Sequence, residues 1–418
     1  MIFRAQLRTR RGPEASTKGG SSSHLSVVMG GTPLLGHLTG IGHYTRQLGH
    51  ALHTQGLLED LKLWGDIGFL DPELLSVSGQ PFSGSPAAPR GRSTFLRDAR
   101  HLLSKSYAAA LLYERLSGFA AARRLAPFTA THIYHSPNFI LPRFDGPKVM
   151  TVHDLSVIRF PEFHRRQMVE ICERGIRRAI DDKAHIIVDS DLVGRELKAH
   201  FGVGDELVTT VHLAASAECR SRTEEECRDA LRQWRLPFKG FFLSVGTIEP
   251  RKNLIRLFTA FRAGRQEGLF EWPLVVVGGR GWKSQKEHAL LDELCQDGLA
   301  IYLDYIDDAS LNQLYSAAGA LVFPSLYEGF GLPVAEAMAS GCPVVTSRGT
   351  AMEEFATPDT ILIDPLDEAG LKGAMGRVAS SLPSADPSAE KKWADNTRTW
   401  TEVAEETGEV YRQSALGA

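Results

Sequence analysis

The chain of 418 residues lacks several features that would place it in a specialised class of protein. It has only five cysteines, and because none of them forms a C-x-x-C pair, the sequence favours free thiols in a reducing compartment over a disulfide framework. No apolar run approaches the ~18 residues needed to span a bilayer. The formal net charge of -3 at pH 7 argues against a protein that binds nucleic acid along its whole length.

The first 23 residues lack the apolar core of a signal peptide, although they carry Arg4, Arg8, Arg10 and Arg11. They continue as glycine, serine and threonine, so we expect a mobile extension that lies outside the fold. Together with the cysteine usage, this predicts a cytoplasmic enzyme. Peripheral contact with the cytoplasmic face of the inner membrane is a further interpretation.

Short apolar segments alternate with helical patterns along most of the chain. Leu25–Met29 predicts a buried strand, Ile41–His53 carries apolar residues at helical spacing, and a further helix is expected over Glu162–Ile180. The second half repeats the pattern from the apolar segment Phe241–Val245 onward. Strands that alternate with helices this regularly imply a parallel sheet covered on both faces. We therefore predict an α/β fold of two doubly wound, Rossmann-like domains that face each other across a cleft.

The same pattern predicts where the domains begin and end. After the extension at residues 1–23, we expect a first domain at 24–214, a linker at 215–237 and a second domain at 238–390. Apolar residues at helical spacing in 391–418 predict a terminal helix or pair of helices that packs back on the first domain.

One strand–loop–helix segment in the second half carries two acidic residues. A predicted strand ends at Pro324, the loop after it carries Glu328, and Glu336 lies about one turn inside the helix that follows. Pro333 suits the first turn of that helix because it has no N–H and a restricted φ. In a parallel sheet, ligands bind beyond the carboxyl ends of the strands, so this loop is a candidate site.

The residue types in this loop suit a ligand with hydroxyls and phosphates. Gly329 and Gly331 let the backbone approach a ligand closely, and free N–H groups at the start of the helix favour an anion such as diphosphate. A carboxylate can hold two neighbouring hydroxyls, so Glu328 and Glu336 could bind the diols of a sugar and a ribose. The alternative is that Glu328 is an ordinary loop residue and Glu336 only favours the helix dipole.

Glu328 and Glu336, separated by seven residues within Glu-Gly-Phe-Gly-Leu-Pro, resemble the E-x-seven-E signature of the retaining glycosyltransferases of family 4. The resemblance extends from Leu25 to Tyr411 and implies the GT-B fold, with an acceptor-binding first domain and a nucleotide-sugar-binding second domain. It also implies that Glu328 contacts the donor sugar and Glu336 the ribose. The donor site implied by this resemblance comprises Gly246, Thr247, Arg251, Lys252, Glu328, Gly329, Phe330, Gly331, Leu332 and Glu336.

A basic pair follows the first strand of the second domain. Arg251 can bind phosphate oxygens in bidentate fashion and Lys252 acts as a point charge, so both could stabilise a departing nucleoside diphosphate. A solvated basic turn is the alternative, but the pair also resembles the phosphate-binding residues of the family. Many members have an arginine directly after the glycine that is Gly246 here. This chain has Thr247, which leaves open whether two cations or one reach the diphosphate.

Two segments of the first half resemble acceptor-side parts of the family. Gly40 and Gly42 lie in Thr-Gly-Ile-Gly, which resembles the loop that closes over the donor and helps to seat the acceptor, although alone it could be a tight turn. His153 and Asp154 end a predicted strand, and the family carries a histidine here that faces the transferred sugar. A satisfied buried histidine is the alternative for His153. Asp154 could orient His153 or bind acceptor, and His135 is a weaker acceptor-side candidate.

Asp189-Ser190-Asp191 has the D-x-D spacing that can hold a divalent ion on a diphosphate. The segment lies in the first half of the chain, between a predicted strand and a predicted helix and away from the Glu328 loop. Capping of that helix is the favoured role. We expect no metal ion, and no cofactor apart from the nucleotide sugar that serves as co-substrate.

The segment from Arg90 to Arg124 is rich in arginine, with leucine, phenylalanine and tyrosine between the charges. A basic amphipathic helix of this kind can lie on an anionic lipid surface. A solvated face over the protein core is the alternative, so the segment leaves membrane contact open.

Thr-Gly-Ile-Gly combined with Val-His-Asp-Leu resembles family members that transfer mannose or rhamnose in bacterial surface-polysaccharide assembly. The resemblance implies transfer of a hexose, with retention, from a nucleoside-diphosphate sugar to a glycan or lipid-linked glycan, and we favour a GDP-linked donor. It also implies a front-face displacement, in which Arg251, Lys252, Glu328 and His153 are the expected catalytic residues. The alternatives are a nucleotide-sugar epimerase of the same architecture and a non-catalytic sugar-nucleotide-binding subunit.

Overall fold

The computed structural model describes residues 25–35, 38–65, 67–76, 118, 120–304, 306–381 and 398–417. The predicted extension at residues 1–23 and most of the basic segment from Arg90 to Arg124 lie outside these ranges. The described residues form two α/β domains and a C-terminal helix. None of their helices is both long and apolar enough to cross a membrane.

The first domain contains a seven-stranded sheet with the strand order β3-β2-β1-β4-β5-β6-β7. Neighbouring strands pair in parallel, except that β3 is antiparallel to β2. The strands are β1 (Leu25–Gly30), β2 (Leu58–Trp64), β3 (Phe69–Leu70), β4 (Ile133–Ser136), β5 (Lys148–Val152), β6 (His185–Val188) and β7 (Val208–Thr210).

The second domain contains a six-stranded sheet with the strand order β10-β9-β8-β11-β12-β13, in which all pairs are parallel. The strands are β8 (Phe242–Val245), β9 (Leu274–Val277), β10 (Ala300–Leu303), β11 (Ala320–Phe323), β12 (Val344–Ser347) and β13 (Ile361–Ile363).

Two hydrophobic cores accompany each sheet, because helices cover both faces. This confirms the predicted α/β class with two doubly wound domains. The helices are α1 (Gly40–Thr54), α2 (Ser156–Arg159), α3 (Arg166–Asp181), α4 (Asp191–Phe201), α5 (Arg228–Trp234), α6 (Leu254–Gln266), α7 (Gln285–Gln296), α8 (Asp308–Ala317), α9 (Leu332–Ala339), α10 (Glu368–Ser380) and α11 (Trp400–Leu416).

The strand order reverses between β1 and β4 in the first sheet and between β8 and β11 in the second. In sheets of this kind, ligands bind beyond the carboxyl ends of the strands at the point of reversal. Strands β8 and β11 pair directly, with Ala320 opposite Phe242. Because parallel strands end at the same edge, the segments after β8 and after β11 are brought together.

Helix α11 returns the chain to the first domain. It begins with a capping box, in which Thr399 and Glu402 each accept a hydrogen bond from the other's backbone N–H. Its buried face, including Val403 and Tyr411, belongs to the same core as α1 and the strands of the first sheet.

Some elements differ from those that the sequence predicts. The helix predicted from Glu162 begins at Arg166, because His164 and Arg165 have extended backbones. The sequence pattern also does not predict β3, β13 or α10. Strands of two and three residues, such as β3 and β13, are too short to show a periodic pattern.

Candidate active site

A basic turn and an acidic loop meet at the carboxyl edge of the second sheet. The basic turn is the 3-10 helix Pro250–Lys252, which follows β8. Asn253 ends this turn in a left-handed conformation with a φ of 59°, and its amide nitrogen donates to the carbonyl oxygens of Pro324 and Pro365. These bonds anchor the turn to the segments that follow β11 and β13.

Four charged side chains are linked by hydrogen bonds into a network where the basic turn meets the acidic loop. Glu328 accepts hydrogen bonds from Arg251 Nη1 and from Lys252 Nζ, each at 2.7 Å. Arg251 Nη2 donates to Glu249 Oε1, also at 2.7 Å. Two positive charges therefore face two negative charges, and all four side chains are almost fully buried. Removal of any one partner would leave an uncompensated charge in the interior.

The two cations determine the charge state of Glu328. Burial alone would raise the pKa of its carboxyl, but Arg251 and Lys252 outweigh burial and lower the pKa to about 2. Burial would lower the pKa of Arg251, yet that pKa is raised because Glu328, Asp154 and Glu249 surround the guanidinium. Glu328 is therefore a carboxylate at neutral pH and cannot serve as a general acid there.

The network keeps hydrogen-bonding capacity for a ligand. A carboxylate has about four lone-pair positions, so Glu328 can accept hydroxyls while it holds both cations. Arg251 Nε is buried and has no hydrogen-bond partner, and Lys252 uses one of its three N–H groups on Glu328. The geometry therefore suits a diphosphate against the cations and a hydroxylated ring against the carboxylate.

The glycines of the loop after β11 are required by its surroundings. A side chain at Gly329 would collide with the carbonyl oxygen of His153 in the first domain. Gly331 has a φ of 100°, and a side chain there would collide with Met352. Gly331 also precedes α9, whose N-terminus has no side-chain cap, so its first N–H groups can bind an anion.

Phe330 and Leu332, both predicted donor-binding residues, direct their side chains into a core instead. Phe330 is only 6% exposed and stacks on Phe355, with 4.7 Å between the ring centroids. Leu332 packs against the same core, which is that of the first domain. Their side chains therefore fasten the loop to the first domain, and only their backbone can face a donor.

Gly246 and Thr247 lie beside the basic turn. Gly246 follows β8 with a φ of 138°, and a Cβ atom there would lie 3.6 Å from Lys252 Nζ. The Thr247 methyl group faces Gly281, where an added Cβ would lie 3.0 Å from it. Thr247 thus contributes no charge, while both cations of the basic turn reach the network around Glu328.

Glu336 lies inside α9, and its Oε2 accepts a hydrogen bond from the Tyr315 hydroxyl at 2.9 Å. Burial raises the pKa of Glu336 to about 7, and the charge of Asp308 adds to the rise, whereas the bond from Tyr315 opposes it. The pKa of Glu336 is therefore shifted in the direction opposite to that of Glu328, although the sequence presents both as one motif.

We expect the stability difference between the wild type and Glu336→Gln to depend on pH. The Glu336 pKa is 4.5 for an ordinary carboxyl and about 7 in the folded protein, so the folded state binds an extra proton between these values. Wild-type stability should therefore fall as the pH rises from 4.5 to about 7 and level off above it. Thermal midpoints of both proteins over this range test the expectation, and a constant difference between them would contradict it.

His153 forms hydrogen bonds through both ring nitrogens. Nδ1 lies 2.7 Å from Asp189 Oδ2, and Nε2 lies 3.0 Å from the carbonyl oxygen of Pro137. Because a carbonyl only accepts, Nε2 carries a proton. Burial would lower the pKa of His153, but Asp189 outweighs burial and raises it. The predicted contact between His153 and a sugar hydroxyl would require Nε2 to leave Pro137.

His135 is a structural residue and not an acceptor-side group in this arrangement. It is fully buried, with Nδ1 at 2.7 Å from the Tyr411 hydroxyl and Nε2 at 2.8 Å from Thr151 Oγ1. Burial lowers the pKa of His135 to about 3, so the ring is neutral. His135 therefore links the first sheet to α11, and both of its ring nitrogens already form hydrogen bonds within the protein.

Asp154 accepts a hydrogen bond from the N–H of Ser156, the first residue of α2, at 2.8 Å. Its charge also raises the pKa of Arg251, which places it near the network in the second domain. Of the two predicted glycines, Gly42 is needed for packing, because a Cβ there would lie 2.7 Å from the Pro33 carbonyl oxygen. Gly40 has no described heavy atom within 4 Å of its Cβ position.

Each residue of the Asp189-Ser190-Asp191 segment makes a different contact. Asp189 binds His153, and Ser190 Oγ accepts from the Val193 N–H at 3.3 Å, which confirms the predicted cap of α4. The N–H groups of Asp191 and Leu192 donate to the Glu354 carboxylate of the second domain, at 2.9 and 2.7 Å. The segment therefore links His153 to the opposite domain.

Glu354 connects the domains at the N-terminus of α4. Its Oε2 also lies 3.1 Å from His212 Nε2. Asp191, His212 and Glu354 offer ligand atoms within 4.8 Å of one another, a spacing that could suit a metal ion. However, two backbone N–H groups already point at the carboxylate, and such donors repel a cation. The arrangement is better explained as a contact that holds the domains together.

We expect Glu354→Ala to lower the transfer rate about tenfold, because loss of a carboxylate at a helix N-terminus costs about 1–2 kcal/mol of domain contact. Glu353→Ala is the matched control, since Glu353 accepts from the Gly349 N–H within its own domain. Initial rates and thermal midpoints of both variants test this. Equal effects of the two substitutions would show that Glu354 has no special role between the domains.

Three site residues escape prediction from motifs, namely Glu249, Tyr327 and Glu354, whereas Asp189 stands in a predicted motif but its bond to His153 was not foreseen. The Tyr327 hydroxyl donates to Glu196 of the first domain at 2.7 Å and accepts from the Leu155 N–H at 3.2 Å. Only Glu249 had a local signal, because it lies next to Pro250 in the basic turn. The others owe their roles to partners that are distant in sequence.

Comparison with known proteins agrees with this geometry. A family model described as glycosyl transferases group 1 matches residues 232–400. O-antigen chain mannosyltransferase B of Escherichia coli is 33% identical over 343 residues, which cover 82% of this chain and 87% of that protein. O-antigen chain mannosyltransferase RfbU of Salmonella typhimurium is 24% identical over 57% of this chain and 62% of its own length.

Solved structures share the two-domain architecture. Sucrose-phosphate synthase from Thermosynechococcus elongatus superposes with a TM-score of 0.67 at 20% identity, over 94% of this chain and all of that one. WaaG, a glycosyltransferase involved in lipopolysaccharide biosynthesis, gives a TM-score of 0.63 at 14% identity, over 93% of this chain and 99% of its own. These likenesses confirm the predicted GT-B fold.

Proposed function

The chain belongs to the family of group 1 glycosyl transferases, and on that basis we propose that it transfers mannose from GDP-mannose to a glycan in polysaccharide biosynthesis. The observation that carries the proposal is Glu328 held between Arg251 and Lys252 at the carboxyl edge of the second sheet. A sugar diphosphate needs such groups, a carboxylate for hydroxyls and two cations for phosphates.

The choice of sugar and acceptor is supported by the relatives. Two of them are named O-antigen chain mannosyltransferases, which favours mannose as the sugar and a growing glycan, free or lipid-linked, as the acceptor. A lipid-linked acceptor would place the reaction at the cytoplasmic face of the inner membrane. The nucleotide sugar is the co-substrate, and no other cofactor enters the proposal.

The proposed reaction retains the configuration of the anomeric carbon. The bond from this carbon to the diphosphate breaks, the acceptor oxygen bonds to the same face, and the departing phosphate takes the acceptor proton. Arg251 and Lys252 stabilise the charge that develops on the diphosphate. In other enzymes, a bound metal ion has this role. Glu328 is unsuited to act as a nucleophile, because both of its oxygens are bonded to cations.

A thermal-shift screen of nucleotide sugars tests the donor. A donor at about 100 times its dissociation constant should stabilise the protein by about 2.7 kcal/mol, which ranks bases and sugars. Incubation with the best donor and a mannose oligosaccharide should then extend the oligosaccharide by one residue, with the anomeric configuration read by NMR. An inverted linkage would refute the proposed stereochemistry, and persistence of transfer with a chelator would support metal independence.

The same assay separates the alternatives. An epimerase would convert the donor without an acceptor, and none of the relatives named above is an epimerase. A non-catalytic subunit would bind the donor without turnover. Donor binding without any new glycosidic bond, across a panel of lipid-linked and free acceptors, would favour that subunit over the enzyme.

A further inference from the structure

A turn of the second domain is hydrogen-bonded to the first domain at the edge of the cleft. The Trp282 indole N–H donates to the carbonyl oxygen of Phe163 at 2.7 Å. Lys283 Nζ donates to the carbonyl oxygens of Glu162 and His164, at 2.6 and 2.8 Å. These bonds are made where the backbone is extended, at His164, within the segment for which the sequence predicts a helix.

The ring of Trp282 is held in place but remains accessible. Its polar N–H is bonded to the first domain, yet the side chain is 39% exposed. Lys283, next in the chain, has a left-handed φ of 55°, a strained conformation for a residue with a side chain. Such strain persists only where surrounding contacts hold it, so the turn presents an aromatic face of defined orientation.

His164 lies beside this ring with an unused nitrogen. The centroids of the two rings are 6.0 Å apart, and the planes are inclined by 43°. His164 Nε2 is buried and has no hydrogen-bond partner. A buried polar atom without a partner is costly, which favours a ligand atom at this position. Burial also lowers the pKa of His164, so the ring is neutral at neutral pH and Nε2 can pair with a hydroxyl.

The pair lies next to the cationic network. A side chain at Gly281, which precedes Trp282, would collide with the carbonyl oxygen of Ile248, so this turn packs directly on the segment that leads to Arg251. The charges of Glu249 and Arg251 also act on the His164 ring. The aromatic face is therefore within reach of a ligand that reacts at the network.

We propose that Trp282 and His164 form a binding subsite for one hexopyranose ring of the acceptor. The apolar C–H face of that ring stacks on the Trp282 indole, and one of its hydroxyls pairs with His164 Nε2 once rotation of the half-buried imidazole exposes this nitrogen. A neutral sugar suits both groups, because the indole offers apolar area and His164 a single polar atom. The inference rests on the proposed glycosyl transfer and adds the residues that select the acceptor.

The test measures acceptor binding separately from turnover. The probe is a synthetic α-linked mannose disaccharide, titrated by NMR into the protein loaded with GDP. We expect Trp282→Ala to weaken disaccharide binding about tenfold and Trp282→Phe about threefold, since phenylalanine keeps part of the aromatic face. His164→Phe removes the unused nitrogen and should weaken binding about fivefold. Phe69→Ala, which removes an exposed aromatic ring on β3, should leave binding within about twofold.

Two results would overturn the subsite. One is disaccharide affinity that stays within about twofold of wild type in Trp282→Ala. The other is an equal loss of GDP and disaccharide affinity, which would make the turn a contact between domains alone. Failure of the proposed function has a different signature, because the wild type would then bind the disaccharide but form no glycosidic bond.

Discussion

Replacement of Glu328 by alanine is expected to lower the rate of sugar transfer by about a thousandfold or more, the scale seen when a preorganised polar contact is removed from an active site. The variant loses the acceptor of sugar hydroxyls, and it leaves Arg251 and Lys252 without their shared counter-charge. Arg251 would keep its bond to Glu249, whereas Lys252 would be free to turn toward other partners. Initial rates at saturating donor and acceptor measure the effect.

Glu328→Gln tests loss of the carboxylate charge separately from loss of the folded structure. The amide keeps the shape of the side chain and one hydrogen-bond acceptor, so it should disturb the fold less than alanine does, yet transfer should still fall about a hundredfold. Glu293→Ala is a matched control, because Glu293 accepts from Arg262 at 2.8 Å in an exposed pair. Near-wild-type transfer by Glu328→Ala would remove the basis of the site assignment.

Substitution of Arg251 by methionine is expected to produce the second large loss, about a hundredfold or more in transfer rate. Arg251 bridges Glu249 and Glu328 and also donates to the carbonyl oxygen of Tyr327 at 2.8 Å. Its loss removes a cation from the departing diphosphate and leaves two buried carboxylates close together. Arg251→Lys should not restore the rate, because an ammonium cannot reproduce the planar bridge.

Product binding shows whether Arg251 acts on the diphosphate. If Arg251 and Lys252 hold the outer phosphate, Arg251→Met and Lys252→Met should weaken binding of GDP about tenfold and binding of GMP much less. Arg262→Met serves as the control, since Arg262 belongs to an exposed pair in the same domain. Equal losses of GDP and GMP affinity would place the cations away from the outer phosphate.

Closely spaced residues were predicted well from the sequence. Central strands of both sheets, such as β1, β8, β9 and β11, are nearly continuous apolar segments, because helices cover both faces, and this pattern is readable without coordinates. The Asp189-Ser190-Asp191 segment was predicted to cap a helix, and Ser190 does so, since capping depends on a few neighbouring residues. The meeting of Arg251 with Glu328 could also be expected, because β8 and β11 end at the same edge of one sheet.

Predictions for single side chains were less successful where their partners lie far away in the sequence. His135 bonds to Tyr411, which lies in the terminal helix, and Phe330 enters the core of the opposite domain. Both residues stand in motifs that favour a site, yet both are committed to packing. A motif gives the position of a residue, whereas long-range contacts decide which way its side chain turns.

The sequence by itself determined the fold class, the location of the candidate site at the strand ends, and the presence there of residue types that suit a sugar diphosphate. These follow from periodicity and from spacing within about ten residues. Only the tertiary structure decided that the pKa of Glu328 is lowered while that of Glu336 is raised, and that His153 is paired to Asp189. Charge state and orientation depend on burial and on partners from other elements, and these exist only once the chain has folded.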